Sequence, residues 1–418
     1  MKRLLLVILL FSTIAQAGFV DLVKDKLNSD PGVVAAIRDL QSSEINLKAL
    51  DGFMIPYISF SGNINMNSND IKSSLITPTI RWDVFGASMF ASNEFDAVNY
   101  EWEGFSVGIS GNVDGVIHYA SDYKKKKANV LLKEYQVVNM KNSVVLEAFN
   151  DIFNWKISTL KKPVLLRELE INEQQLKDMK NKDVSEEDVL KKQRDILSLQ
   201  KELISVESKS KESFSDKDFQ EAFDLAKKIV EASCSTSLRE DIEAYKLLEE
   251  AYAEEKRWKI LEDLPQVSFS VNYAENPPGN ADNWNISLSF VWSIWDRGEK
   301  ENQKLLTVSN ERYYHLKYEN ALNNLEDTLE NIEHQIKMKE IDLKTAEINL
   351  KISNIELEKV KKAHEHGFVT ADDLELYQLS LKENQINVLK ATLDLLILKL
   401  QYLSTCGVDL EKLLEVNQ

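Results

Sequence analysis

The sequence predicts a mainly α protein with a small β part, made of two internal structural copies and of long coiled-coil helices standing side by side as the wall of a hollow cylinder. Three observations predict it. Residues 56–64 (Pro-Tyr-Ile-Ser-Phe-Ser-Gly-Asn-Ile) and 265–273 (Pro-Gln-Val-Ser-Phe-Ser-Val-Asn-Tyr) coincide at Pro, Ser, Phe, Ser and Asn with one offset of 209. At that offset Ala35 also lies over Ala244 and Lys48 over Arg257. No Gly or Pro interrupts Glu299 to Ala363, which at about 1.5 Å per residue is on the order of 100 Å of helix, far beyond a globular one. Four segments, finally, alternate apolar and polar residues with period two, as strands with one wet and one dry face do.

The N-terminus reads as a signal peptide over residues 1–17. Met1-Lys-Arg is a charged start, Leu4 to Phe11 an apolar run too short to span a bilayer, and Ala15-Gln-Ala17 a cleavage site. No cysteine follows the expected cut, so no N-terminal lipid anchor is expected. The chain carries −17, and loss of Lys2 and Arg3 takes it to −19. Such acidity argues against nucleic acid and anionic membrane surfaces as partners. No other stretch is apolar enough for a membrane helix, so any insertion must use strands.

The first copy is expected over residues 18–233 and the second over 234–418, each with helix, strand pair, long helical hairpin and equatorial segment. The strands fall at about 57–67, 104–114, 266–274 and 284–295. Ile58 and Phe60 alternate with Ser59 and Ser61, and Ile286, Leu288 and Phe290 with Ser287 and Ser289. The polar face is nearly pure Ser, Asn and Gly, which suits a wet lumen, so these five apolar residues are expected to face lipid. Trp102, Trp284, Trp292 and Trp295 sit at strand ends, where a membrane interface favours aromatics. The first strand pair carries a connection 27 residues longer than the second. Its residues 68–101 alternate again (Ile76, Ile80, Trp82, Val84), leaving an extra barrel hairpin or an extracellular loop, and an exposed position is expected near Asn93.

Within the long helix, Ile336, Leu343, Leu350 and Leu357 recur every seven residues, and so do Ile341, Ile348 and Ile355. Positions two apart point about 200° apart on a helix, so there are two seams on nearly opposite sides. A two-stranded coiled coil needs one seam. Two place the helix in a wall with a neighbour on each side. The hairpin tips are expected near 181–188 and 366–373: Gly367 suits a left-handed cap, Thr370 with Asp373 restarts the helix, and Ser185 with Asp188 does the same in the first copy. Pro163 is expected to kink the first long helix. Cys234 and Cys406 are free to pair in an oxidising compartment, but sequence does not show their proximity. No catalytic, cofactor or metal motif occurs. His364 and His366 lie two apart and are poor joint ligands.

A signal peptide, two copies of helix–strand–strand–long helix–tight turn–helix and no membrane helix together resemble the TolC-like outer membrane efflux protein family, over about residues 28–415. The best local matches precede Pro56 and Pro265, then Trp292-Ser-Ile-Trp-Asp-Arg-Gly298 and Gly367-Phe-Val-Thr-Ala-Asp-Asp-Leu374. The resemblance implies a homotrimer in the cell outer membrane, extending into the periplasm. A coiled-coil α-barrel would continue into a shared membrane β-barrel of four strands per chain, with an equatorial girdle including Phe219–Ala232. It implies export of small molecules or proteins with an inner-membrane transporter and a periplasmic adaptor, and no catalysis. Asp188 and Asp373 match acidic positions that narrow the periplasmic entrance, and Asp372 and Glu375 lie beside them. A further acidic position of the family falls on Leu376, and Lys182 stands where Gly is common. A non-transport periplasmic coiled-coil spacer or adhesin is the alternative.

Overall fold

The computed structural model describes residues 18–50, 56–67, 70–84, 87–181, 185–209, 214–234, 239–259, 266–275, 283–291 and 297–417. The expected signal peptide, Lys182, Trp292 and Trp295 lie outside them. In order, the elements are α1 (Phe19–Ser29), α2 (Pro31–Leu50), β1 (Tyr57–Asn67), β2 (Asp70–Val84), β3 (Ala87–Asp96), β4 (Glu101–Asn112), α3 (Val113–Asn181), α4 (Glu186–Lys209), α5 (Asp216–Ile229), α6 (Glu240–Trp258), β5 (Gln266–Glu275), β6 (Asn283–Val291), α7 (Glu299–Glu365), α8 (Ala371–Thr405) and α9 (Leu410–Val416). The chain is mostly helical with one antiparallel sheet, and it divides into two compact units.

One unit holds α1, α4, α5, α8 and α9 with the parts of α3 beyond Val138 and of α7 beyond Asn324. Its long helices form a row. Lys161 and Lys162 of α3 pair with Glu202 and Glu207 of α4. Val164 and Ile171 of α3 pack on Leu379 and Ile386 of α8, and Asn384 of α8 donates to Ser353 of α7 at 2.7 Å. The order is therefore α4, α3, α8, α7. Pro163 lies inside α3 without ending it. At one end of the row, amphipathic α5 sets Phe219 edge-on against Phe153, which adjoins Phe149 and, through it, Phe19 of α1. Asn142 clamps the C-terminal turn, donating to Val408 O at 2.8 Å and accepting from Leu410 N at 2.9 Å. Cys234 and Cys406 form a disulfide there, with Cα atoms 5.8 Å apart across 172 residues.

The turn between α7 and α8 follows from its residues. Gly367 has φ +77°, a conformation that disfavours a side chain. His364 Nδ1 lies 2.8 Å from Val369 O, and Thr370 Oγ1 accepts from Asp373 N at 3.1 Å. In the first hairpin Ser185 Oγ accepts from Asp188 N at 3.2 Å.

The other unit holds the sheet, α6 and the parts of α2, α3 and α7 nearest it. Ala128 of α3 packs on Ala244 and Leu248 of α6. Tyr252 stacks on Tyr314 at 5.3 Å, and Lys124 pairs with Glu254 at 2.7 Å. The strands run β1-β2-β3-β4-β5-β6 in chain order, all antiparallel. Two expectations are corrected here. Of residues 68–101, 70–84 and 87–96 are the strands β2 and β3 and not a loop, and Asn93, exposed as expected, is a strand residue opposite Phe105. Among the described residues the sheet accordingly has six strands, where the resemblance implied four. The physical reason is that Ile76, Ile80 and Trp82 continue the two-residue period of β1 and can join the same face. Smaller shifts occur at β4, which starts at Glu101 and yields to α3 at Val113, and at β6, which is described from Asn283 to Val291.

Reducing the Cys234–Cys406 bridge releases a long loop in the unfolded chain, so stability should fall by about 2–4 kcal/mol. Urea denaturation with and without dithiothreitol, alongside Cys406→Ser, checks this, and the serine variant should be insensitive to the reductant.

Candidate functional site

Two surfaces stand out, the sheet in one unit and the helical tips in the other. The sheet's register sorts its side chains into two faces. Ile58 opposes Ile80, and Ile80 opposes Ala91. Ala91 opposes Val107, Val107 opposes Tyr273, and Tyr273 opposes Trp284. Five successive pairings thus keep apolar residues on one face. That face is open: Phe60 is 76% exposed and Ile286 75%, and Ile58, Leu288 and Phe290 are exposed too. A soluble sandwich would cover such a face. Leaving it in water forfeits about 25 cal/mol per Å² of apolar surface.

The reverse face is polar. Ser61 opposes Thr77, Ser92 opposes Ser106, and Ser110, Ser270 and Ser287 run in register across β4, β5 and β6. The Ser92 and Ser106 hydroxyls are 2.7 Å apart, and Ser268 donates to Asn112 at 2.7 Å. A groove of about 430 Å³ lined by Ser88, Ser110, Ser268, Ser270, Ser287 and Ser289 crosses this face. Trp102 and Trp284 lie at the end of the sheet away from the helices. Trp102 donates Nε1 to Asn93 at 2.6 Å, and the Trp284 ring lies 5.0 Å from that of Tyr273.

At the tips, Asp188 is exposed beyond Ser185, and Asp372 and Asp373 begin α8 after Gly367. Glu375 departs from its expected place among free carboxylates. Arg167 of α3 grips it with two parallel hydrogen bonds, Nε to Oε1 at 2.7 Å and Nη2 to Oε2 at 2.9 Å, and reaches Glu170 with Nη1 at 2.8 Å. Here α3 brings in a cation 208 residues away in sequence. No spacing rule signals that pair.

Two apolar edges complete the helical row. On α7, Leu357 is buried while Ile341, Ile348 and Ile355 are exposed, Ile348 to 56%. On α4, at the opposite edge, Leu190, Leu197 and Ile204 are exposed, Leu197 to 64%. The α4 seam escaped the sequence reading, although its seven-residue spacing was the signal that reveals it. Among the described residues no helix is long and apolar enough to cross a membrane, and none gather as a metal-binding group.

Hydrogen bonds donated by Arg167 hold the Glu375 carboxyl below its ordinary value, and the bonds it donates to Glu375 and Glu170 raise the guanidinium in turn. A carboxyl lowered in the folded state adds stability that is full above its unfolded value and is lost as pH falls through the folded one. Acidifying below the usual glutamate range should therefore loosen α3 from the start of α8. Hydrogen exchange over residues 371–379 should quicken there, and Arg167→Ala should reproduce the change at neutral pH.

No protein-family model matches the sequence, and no curated protein does either. Solved structures match its fold. The Campylobacter jejuni CmeC outer membrane channel aligns with a TM-score of 0.58 at 14% identity, covering 96% of this chain and 89% of that one. The open state of the Neisseria gonorrhoeae MtrE outer membrane channel gives 0.60 at 11%, covering 94% and 90%. The Vibrio cholerae outer membrane protein VceC gives 0.56 at 13%, covering 93% and 96%. Long helices in a row, a sheet with one open apolar face and this likeness lead to one conclusion: the chain has the fold of the TolC-like outer membrane efflux channels.

Proposed function

We propose that this protein is an outer membrane channel, a homotrimer that exports small molecules or proteins together with an inner-membrane pump and a periplasmic adaptor. The observation that carries the reading is the open apolar face of the sheet, backed by a Ser/Asn face. Bilayer hydrocarbon satisfies the first and a water-filled lumen the second. The two exposed heptad edges of the helical row support assembly. A row of four helices ending in apolar seams on both sides is complete only when copies join edge to edge, α4 of one against α7 of the next. The fold likeness to outer membrane channels supports the location, and the two-copy sequence pattern supports strand pairs and helical hairpins of common origin. The leader over residues 1–17 would direct export.

Detergent extraction tests the reading. The protein should leave the outer membrane fraction only with detergent and run as a trimer by native mass spectrometry. Leu288→Arg should destabilise that trimer by about 2–4 kcal/mol if the residue sits near mid-bilayer, whereas Ser287→Arg on the lumen side should be tolerated. Equal tolerance at both positions would remove the barrel.

The tips form the entrance in this reading. With Glu375 held by Arg167, the tip carboxylates not paired with an arginine are Asp188, Asp372 and Asp373, and threefold assembly gathers them around one opening. Their field favours cations and fades with salt. In planar bilayers, Asp372→Asn with Asp373→Asn should weaken cation preference and block by multivalent cations. An unchanged preference would assign selectivity to the general acidity of the lumen.

A further inference from the structure

We propose that β2 and β3 are wall strands of the membrane barrel, so that the exit is wide enough for a polypeptide two helices thick. The inference rests on the trimeric channel reading above. The duplicated strand pairs alone, β1, β4, β5 and β6, would close three chains into about twelve strands, and with the hairpin they close about eighteen.

Four observations make the hairpin part of the wall and not a flap outside it. First, β1 and β4 have no pairing with each other: β1 pairs with β2 from Tyr57–Arg81 to Asn67–Asp70, and β4 pairs with β3 from Ala87–Gly111 to Asp96–Glu101. Second, the hairpin keeps the faces in phase. Ile76, Ile80 and Met89 share the apolar side with Ile58, and Thr77, Ser88 and Ser92 share the polar side with Ser61. Third, its joint with β4 is fitted. A Cβ on Gly108 would lie 2.8 Å from the Phe90 ring and 2.2 Å from Asn272 Oδ1. Phe90, an apolar residue on the polar face, thus lies over the glycine of the neighbouring strand, a known way of covering a backbone without a side chain. A Cβ on Gly111 would lie 3.1 Å from the Ala87 Cβ, so the glycine admits the start of β3. Fourth, the topology is that of a spanning hairpin. β1 leaves the helices and β4 returns to them directly at Val113. Asn67, Asp70, Asp96 and Glu101 therefore lie at the far end of the sheet, and Val84 and Ala87 at the helical end. Pro78 leaves a gap in the β2–β3 ladder between Ile76–Phe95 and Thr79–Ser92 without shifting register.

Size follows from strand number. With strands about 4.8 Å apart and tilted about 40°, twelve give a backbone diameter of about 24 Å and eighteen about 36 Å. A side-chain layer of about 5 Å on each side leaves bores of about 14 Å and about 26 Å. A helix with its side chains is about 10–12 Å across, so the narrower bore passes one and the wider two abreast. The hairpin also changes the lining. The polar faces of β1, β5 and β6 are uncharged, whereas β2 and β3 contribute Arg81, Asp83 and Glu94.

Neutral polyethylene glycols of graded size, added only to the extracellular side of single trimers in planar bilayers, measure the exit. The full chain should admit polymers up to a radius of about 13 Å, and a chain lacking residues 70–98 only up to about 7 Å, half of the bores above. Because a deletion that removes strands also tests assembly, two cysteine pairs give an independent reading in the full chain. Ser61→Cys with Thr77→Cys, and Ser92→Cys with Ser106→Cys, join register partners at a separation a disulfide accepts. Both should oxidise in the membrane-embedded trimer, as seen in non-reduced peptides by mass spectrometry. A trimeric channel with a cut-off near 7 Å in the full chain, or with neither pair oxidised, overturns the wide exit and leaves the channel reading standing. A protein that never forms a membrane trimer overturns both.

Discussion

Everything in the sheet unit depends on one constraint: strand side chains alternate, so a single sheet always presents two faces, and here the two faces need opposite solvents. The apolar one cannot be folded away, because α2, α3, α6 and α7 attach at the strand ends and leave its broad side uncovered. Phe60 at 76% and Ile286 at 75% exposure are the outcome. Twisting or lengthening strands cannot cure this. Hydrocarbon on one side and water on the other would suit the two faces, and closing the sheet on copies of itself would also remove its unpaired edges at β1 and β6.

The helical row poses the same problem in another geometry. A helix with one apolar stripe is satisfied by one neighbour, as α5 is by the Phe149–Phe153 surface. A helix with two stripes needs two neighbours. α3 and α8 each have both within the chain, so Val164, Ile171, Leu379 and Ile386 are buried. α4 and α7 each have one, and Leu197 and Ile348 remain in water. The unsatisfied stripes lie on opposite edges of the row, the arrangement that a closed ring of identical copies requires.

Polar contacts refine this frame without creating it. The Arg167–Glu375 grip stands on the exposed surface, where an ion pair contributes modestly, but its two parallel bonds fix the angle at which α8 leaves its tip turn. Asn142 fixes the C-terminal turn by satisfying the carbonyl of Val408 and the first backbone N–H of α9, at Leu410. The disulfide ties that turn to residue 234, between α5 and α6.

The sequence by itself determined whatever obeys a local period or a local steric rule. Alternation marked four strands and their dry faces, heptads marked both stripes of α7, and Gly367 with Thr370 marked a tip whose cap depends only on neighbouring atoms. It left open what depends on partners far along the chain. Residues 68–101 read equally as hairpin or loop, because alternation shows that a strand can form but not which edge it joins. Pairing β3 to β4 decided it, through Phe90 over Gly108 and Ala87 beside Gly111. Glu375 looked like its acidic neighbours until α3 brought Arg167 beside it, since no one-dimensional pattern couples positions 208 apart. Cys234 and Cys406 met for the same reason: α5, α8 and α9 pack at one end of the helical row, and that packing, not the spacing of the cysteines, sets their separation.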